Sequence, residues 1–271
     1  MATTLTPPST SFEPTAPATS ARHRLERRGS RLAASVRSES IKLTTVRAPR
    51  AILALTILVG GAASFMVAHF VDEPDISVAT VFGFSAVFTT VFAAVGGILA
   101  YTTEAEHHTA HQTFAAEPRR VIVIAAKVIT TAGYAALLGL AGLAAGAVGA
   151  ALGGVEAGDT STILPAMIGW ATGFAVLSGI LGLGVGLIAR HSAAAISGLL
   201  VWWFVVENLI SAFAPERVVR FMPFFAGRGM LDIADEGERI AFDRPATTLI
   251  FAAYAIAALT IGALATARTD P

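Results

Sequence analysis

The chain has 271 residues, of which 54% are hydrophobic and only 14% are charged, whereas an average soluble domain has about 25% charged residues. Its 19 basic and 19 acidic residues cancel, so nucleic acid is not expected as a partner. It has no cysteine, which excludes disulfides, cysteine-ligated metals and thiol nucleophiles. The low charge predicts a membrane protein. The abundance of Ala and Gly and the use of Arg more often than Lys are typical of a bacterial genome rich in G and C.

Residues 1–36 are predicted to form a disordered, basic N-terminal tail. The first 20 residues are rich in Ser, Thr and Pro and have no apolar period, so they bury too little surface to become ordered. A cleavable signal peptide would place its apolar core directly after a short charged region, so the first apolar segment is expected to remain as an anchor. Nine basic residues precede that segment: Arg22, Arg24, Arg27, Arg28, Arg31, Arg37, Lys42, Arg47 and Arg50.

Residues 37–271 are predicted to form one domain of six transmembrane helices, because a span needs about 20 apolar residues. Basic residues flank one set of helix ends, and the opposite short loops have none, which predicts that both termini are cytoplasmic. The loop 215–245 departs from this pattern, since its five arginines would lie outside, balanced by six acids. The six segments are 51–71, 78–101, 122–152, 164–188, 192–214 and 246–267.

The segment 38–50 leads into the first span. Ile41 and Val46 lie among charged and hydroxyl residues, which predicts a short amphipathic helix on the surface of the inner leaflet. The alternative is an ordinary basic flank that only sets the topology. Pro49 is expected to mark the bend into the membrane.

The loop after the second span places Glu104, His108 and His111 at i, i+4 and i+7, on one face of a helix. Such a face could ligate a metal, but the zinc-protease pattern H-E-x-x-H is absent, so no metal is expected. Two interpretations remain. The face is either solvated or a contact surface for a cytoplasmic partner.

Glu207 and Asn208 lie inside the fifth apolar segment. A carboxylate at this depth is costly, which favours a functional role. Alternatively, Glu207 lies near the outer end and meets water or an arginine of the following loop.

Glycines at three- and four-residue spacing in the third and fourth segments predict close helix packing. No GxxxxGK[ST] pattern occurs, so the chain is not expected to be an enzyme that hydrolyses ATP, and no catalytic, cofactor or metal site is predicted on it.

Three motifs resemble those of the permease subunits of type 2 ABC exporters, particularly the actinobacterial ones. They are S-E-x-x-K-L-x-x-x-R before the first span, a Glu followed by Gly-Thr, Pro-Arg-Arg and Ala-Lys after the second, and P-x-x-A-G before the last. The chain departs from the family at His108, which is usually Gly, and at His111, which is often Arg. The matching residues are Ser38, Glu39, Lys42, Leu43 and Arg47; Glu104, Thr109, Pro118, Arg119, Arg120, Ala126 and Lys127; and Pro223, Ala226 and Gly227.

The resemblance implies that residues 37–271 are a permease domain in the cell membrane. It would pair with a second permease copy or a homologue and dock a cytoplasmic ABC ATPase, a separate chain that binds ATP and Mg. The segment 41–47 would be the family's connecting helix and 104–120 its coupling helix, through which closure of the ATPase dimer would switch the spans. The coupling contacts are expected from Glu104, His108, Thr109, His111, Pro118, Arg119 and Arg120.

Three other classes of protein remain open. A secondary transporter would need inverted repeats and charges near mid-membrane, whereas Glu207 is a single charge and no repeat is visible. An intramembrane enzyme would need a placed nucleophile or metal set. A non-transporting anchor or assembly protein is opposed only by the three motifs. No motif indicates the transported substrate or distinguishes a homodimer from a heterodimer.

Overall fold

The computed structural model describes residues 19–71, 78–107, 109, 117, 119–155, 164–231 and 242–268. Within these ranges all regular secondary structure is helical, and six helices are long and apolar enough to cross a membrane. The predicted all-α membrane fold is confirmed. The surface position of the segment before the first span and the cytoplasmic side of the termini remain predictions. Residues 1–18 of the predicted tail and the predicted contact residues His108, His111 and Pro118 lie outside the described residues.

The predicted span boundaries agree with the structure to within a few residues. The largest difference is at the second span, which continues beyond its predicted end at residue 101 to Glu106. A π-helical turn, Trp202–Val206, joins two helices of the fifth span, which runs from Ser192 to Phe213. The helices of the described chain are α1 (Thr19–Thr45), α2 (Arg47–Phe70), α3 (Val78–Glu106), α4 (Arg120–Leu152), α5 (Leu164–Ala189), α6 (Ser192–Val201), α7 (Glu207–Phe213), α8 (Glu216–Val219), α9 (Pro223–Gly229) and α10 (Arg244–Arg268).

The helix before the first span is longer than the sequence predicted. Helix α1 has 27 residues and begins at Thr19, whereas a tail was expected to residue 36 and a short helix only after it. The segment contains no proline and is rich in Ala, Arg, Leu and Glu, which favour helix. Its high charge limits how much it buries but does not prevent helix formation. The predicted boundary between residues 36 and 37 therefore falls inside α1.

The bend between α1 and the first span lies at Val46, whose backbone is extended (φ −80°, ψ 145°). The prediction that Pro49 marks this bend is wrong, and Arg47 belongs to the span helix. Pro49 is tolerated in the first turn of α2 because its missing N–H would have no helical acceptor there. The Tyr134 hydroxyl of α4 donates to the Pro49 carbonyl oxygen at 2.7 Å, which holds the bend against the bundle.

Glycines allow the backbones of the span helices to approach closely. A Cβ at Gly182 of α5 would lie 2.0 Å from the carbonyl oxygen of Ala94 in α3. A Cβ at Gly149 of α4 would lie 2.1 Å from the carbonyl oxygen of Gly61 in α2. Any side chain at these positions would force the helices apart, so the close packing predicted from the glycine spacing is confirmed here.

The spans alternate in direction, and their ends meet in two regions. At one, the Lys127 end, the Arg120 guanidinium donates to the carbonyl oxygens of Thr266 and Ala267 at 2.6 and 2.9 Å. There the carboxylate of Glu106 also accepts from the backbone N–H of Ser192 at 2.6 Å. At the opposite, Phe224 end, α9 packs against the bundle through an aromatic group made of Phe174, Trp203, Phe224 and Phe251.

Candidate functional site

Four charged side chains from three helices form one cluster at the Lys127 end. They are Glu39 and Lys42 of α1, Glu104 of α3 and Lys127 of α4, which we call the ion-pair cluster. The Lys42 ammonium contacts Glu39 Oε1 at 2.5 Å and Glu104 Oε1 at 2.7 Å. The Lys127 ammonium contacts Glu39 Oε2 at 2.9 Å and Glu104 Oε1 at 2.7 Å. Each lysine therefore bridges both carboxylates.

The helices position these four side chains for their contacts. Glu39 and Lys42 are three residues apart on α1 and so lie on one helix face. Glu104 lies in the last turns of α3, and Thr109 closes that end, since its backbone N–H donates to the Glu104 carbonyl oxygen at 3.0 Å. Lys127 lies in the second turn after the start of α4 and also donates to the Ala100 carbonyl oxygen at 3.0 Å. The packing of α1, α3 and α4 then brings the four groups together.

The cluster is buried, although it consists entirely of ionisable groups. Lys127 is 2% exposed and Glu39 8% exposed. Charges in such surroundings are costly unless each is paired and hydrogen-bonded. Two positive and two negative groups make the cluster neutral as a unit, so removing any one member leaves a buried charge without compensation.

Lys42 is the most accessible member of the cluster, with 37% of its side chain exposed. Partial burial lowers the pKa of Lys42, but the hydrogen bonds to Glu104 and Glu39 and the attraction of these two negative charges together outweigh burial, so the pKa lies above its ordinary value. Lys42 is therefore positively charged at neutral pH.

A cavity of about 510 Å³ lies beside the ion-pair cluster, between the bend at Val46 and helices α3 and α4. Its polar end is formed by Glu39, Lys42 and Glu104 of the cluster and by His107. The Nδ1 atom of His107 is 2.9 Å from the Thr103 carbonyl oxygen. Its apolar wall includes Leu43, Ile52 and Leu99. The cluster thus borders a space that a moving helix could fill or enlarge.

The structure brings together only part of the predicted site. Leu43 packs beside the cluster against the core that includes Ile52 and Tyr134. Glu104 faces two lysines, whereas the predicted face that it shares with His108 and His111 lies outside the described residues. Arg119 precedes α4, where its backbone N–H donates to the Glu117 carboxylate at 3.2 Å.

Two of the predicted arginines lie away from the cluster. The guanidinium of Arg120, a predicted partner contact, donates hydrogen bonds to the carbonyl oxygens of Thr266 and Ala267 at the end of α10. Arg47 is exposed in the first turn of α2.

Lys127 is the member of the ion-pair cluster that belongs neither to the predicted coupling contacts nor to the predicted interfacial helix. Its signal was present in the sequence, because it is a single lysine inside an otherwise apolar run and it ends the Pro-Arg-Arg to Ala-Lys motif. The sequence identifies Lys127 as a residue of that motif but assigns it no contact. Its partner on α1, Glu39, is 88 residues away, so only the tertiary structure reveals the pairing.

The Phe224 end holds a second buried carboxylate, Glu207, which is fully buried. Its oxygens accept hydrogen bonds from the backbone N–H groups of Phe224 and Phe225, both at 3.0 Å, and from Trp202 Nε1 at 3.1 Å. Glu207 therefore does not meet water, which was one of the two alternatives. It instead satisfies N–H groups in the first turn of α9, which have no acceptor within that helix.

The π-helical turn before Glu207 is stabilised by the neighbouring predicted residue. The Asn208 side-chain amide donates to the carbonyl oxygens of Trp203 and Phe204, at 3.3 and 3.0 Å. A π turn leaves carbonyl groups out of the regular helical ladder, and Asn208 supplies donors for them. The turn also places Trp203 parallel to Phe224, with ring centroids 4.0 Å apart.

The three residues predicted in the outer loop all lie in α9. Pro223 is at the start of the helix, where proline is favoured, and Ala226 is buried. A Cβ at Gly227 would lie 2.3 Å from the Phe174 ring. The residues of this motif therefore allow α9 to pack closely against the bundle.

Comparison of the chain with models of known protein families and with characterised protein sequences finds no match.

Proposed function

We propose that the chain is the permease subunit of an ATP-binding cassette exporter in a bacterial cell membrane. In this proposal a separate cytoplasmic ATPase binds and hydrolyses ATP with Mg, and a second permease copy or a homologue completes the pathway. The Lys127 end faces the cytoplasm. This chain supplies the path and the coupling between ATPase and spans.

The observation that carries the proposal is the composition of the ion-pair cluster. Two of the three motifs that resemble the exporter permeases meet in it, through Glu39 and Lys42 of the first and through Glu104 and Lys127 of the second. Lys42 and Glu104 are 62 residues apart in sequence. A chance resemblance in two separate segments gives no reason for their charged residues to pair, whereas a common coupling role does.

The contacts give the proposed coupling a physical route. Helix α1 is joined to the loop after α3 by Arg31 and Glu117, whose charged groups are 3.9 Å apart, and to α3 and α4 by the ion-pair cluster. A displacement of α1 would have to carry α3 and α4 along or break the buried ion pairs of the cluster. Because breaking a buried pair is costly, the cluster acts as a stiff joint.

The joint is connected to helices that pack tightly within the bundle. Helix α3 packs tightly on α5 through Gly97 and Gly182, and α4 packs on α2 through Gly149. Packed helices move as rigid bodies between discrete arrangements. In the proposed cycle, ATP-driven closure of the ATPase dimer moves α1 and the loop, and the cluster passes this motion to the spans.

The first test is recovery of the partner. We would extract the tagged chain from its native membrane in mild detergent and identify the co-purifying proteins by mass spectrometry. Stoichiometric recovery of a soluble ATPase with a Walker A motif is expected. Recovery of the chain alone, from membranes in which candidate ATPases are expressed, would contradict the proposal and favour a secondary transporter or an anchor.

The second test addresses coupling. In the reconstituted complex, Glu104→Gln should lower transport-linked ATPase activity several-fold while the complex stays assembled. The matched control is Glu216→Gln, because Glu216 is exposed on α8 at the Phe224 end. Full activity of Glu104→Gln would show that the cluster does not couple the two subunits.

A further inference from the structure

A second cavity, of about 500 Å³, opens on the outside of the bundle at the bend between α1 and α2. We call it the elbow groove. Its volume is in the range of small-molecule sites, about 300–1,000 Å³. It is separate from the ion-pair cluster, although Leu43, Pro49 and Tyr134 form a wall shared with the cavity beside that cluster.

The elbow groove has one polar end and one apolar end. Ser40, Thr44 and Arg50 line it where α1 meets α2, and Leu53 and Leu137 line it further along the spans. From Ile129 to Leu137 the α4 wall extends about 12 Å at 1.5 Å per residue. This length is most of one leaflet, since the hydrocarbon core is about 30 Å thick.

The apolar part of the groove faces outward from the bundle. Ile129 is 48% exposed and Leu137 is 50% exposed, and both belong to a helix long and apolar enough to cross a membrane. The surroundings of such a surface are lipid chains. The groove is therefore open to an occupant that enters sideways from the bilayer.

The polar end offers positive charge. Arg50 is exposed, and its guanidinium makes one hydrogen bond within the described residues, to the Thr45 carbonyl oxygen at a long 3.5 Å. An arginine has five N–H donors, so most remain for a ligand. Basic groups next to a span attract acidic lipid headgroups.

The middle of the groove is open at a glycine. Gly133 lies on the α4 wall, and a Cβ placed there would have no atom within 4 Å. A chain can thus pass over this point without obstruction, between Leu53 and Leu137.

We propose that the elbow groove binds one acidic phospholipid from the leaflet at the Lys127 end, with its phosphate at Arg50 and one acyl chain along Leu53, Gly133 and Leu137. The occupant would hold α1 against the spans. The proposal requires only that α2 and α4 cross a bilayer. It does not depend on the proposed exporter function, and its test needs no ATPase.

The test measures lipid binding to the purified full-length chain by native mass spectrometry. Delipidated protein is titrated with phosphatidylglycerol or with phosphatidylcholine of the same acyl chains. We expect one site that prefers phosphatidylglycerol several-fold. Arg50→Gln should weaken this site about fivefold, the effect of one basic group near an acidic lipid, and Gly133→Leu should remove it by filling the groove.

Each variant has a matched control. Arg47→Gln removes the same charge from the same turn of α2, but Arg47 does not line the groove. Gly198→Leu introduces the same side chain on α6 at another glycine whose Cβ would meet open space. Both controls should bind as the unmodified chain does, and circular dichroism should show unchanged helix content for all four variants.

Three results would overturn the proposal. One is equal affinity for the two lipids in the unmodified chain. Another is equal weakening by Arg47→Gln and Arg50→Gln, because that would indicate a diffuse surface charge. The third is full retention of the preferred lipid by Gly133→Leu, because the acyl chain would then lie elsewhere.

Discussion

Lys127 Nζ and Glu104 Oε1 lie 2.7 Å apart, and the same carboxylate oxygen also accepts from Lys42. Two ammonium groups from different helices thus share one acceptor in a buried site. This relationship makes Glu104 the centre of the joint between α1, α3 and α4.

Lys127→Met should destabilise the protein strongly, because it leaves two carboxylates in a buried site with a single partner. Breaking a buried ion pair from one side costs about 3–5 kcal/mol. The double variant Lys127→Met/Glu104→Gln should recover part of the loss, since it removes one negative charge as well. Thermal unfolding in detergent measures both effects, and a double variant no more stable than the single one would contradict the assigned pairing.

Lys42→Gln should destabilise less than Lys127→Met, because Lys42 is partly exposed and water screens its ion pairs. The pKa of Lys42 is raised above its ordinary value of 10.5 in the folded chain. Its ion-pair stabilisation is therefore fully present below the pKa of the unfolded chain and is lost only as the pH rises through the folded pKa.

The difference in Tm between Lys42→Gln and the unmodified chain should accordingly be the same at pH 6 and pH 9, measured in the same detergent. A difference that shrinks by half within this range would mean that the charge of Lys42 already changes there, contrary to its raised pKa.

Glu207→Ala should loosen the packing of α9 against the rest of the bundle. The substitution leaves two backbone N–H groups and one indole N–H without their acceptor, at about 1–3 kcal/mol for each buried group. The chain has no cysteine, so an added Ala226→Cys gives a unique probe at a buried position of α9. Maleimide should label this probe faster in the Glu207→Ala background.

The control for this experiment is Glu216→Ala, which removes an exposed carboxylate near the same end. Equal labelling rates in the two backgrounds would show that the three hydrogen bonds to Glu207 do not hold α9 in place.

Gly227→Ala should destabilise the docking of α9, because the new methyl group would lie 2.3 Å from the Phe174 ring. Overpacking of this kind costs about 1–3 kcal/mol. Gly198→Ala is the comparison, since its methyl group meets open space and alanine favours a helix over glycine by about 1 kcal/mol. Thermal unfolding should therefore show a lower Tm for Gly227→Ala and a higher Tm for Gly198→Ala than for the unmodified chain. An unchanged Tm for Gly227→Ala would contradict the tight contact.

The six spans could be predicted from the sequence because the property that defines them is local. About 20 consecutive apolar residues suffice to identify a membrane helix, whatever the helix later packs against. The glycine spacing likewise predicted close helix approach, although it did not indicate that Gly182 meets Ala94 or that Gly149 meets Gly61. The length of α1 could not be predicted because its helix propensity favours a helix, whereas its high charge predicts too little burial for an ordered segment.

The partners of the buried charges were decided only by the tertiary structure. Glu207 could be recognised in the sequence as a costly carboxylate, but its acceptor role depends on how α9 folds back to place the Phe224 and Phe225 N–H groups beside it. Glu39, Glu104 and Lys127 could be seen as charges near span ends, but their pairing requires α1 and α3 both to pack against α4. The segments that are long and apolar enough to cross a membrane follow from the sequence alone, because this property depends only on the length and composition of each segment. The tertiary structure decided which charges neutralise one another, because electrostatic pairing depends on distances between residues far apart in the chain.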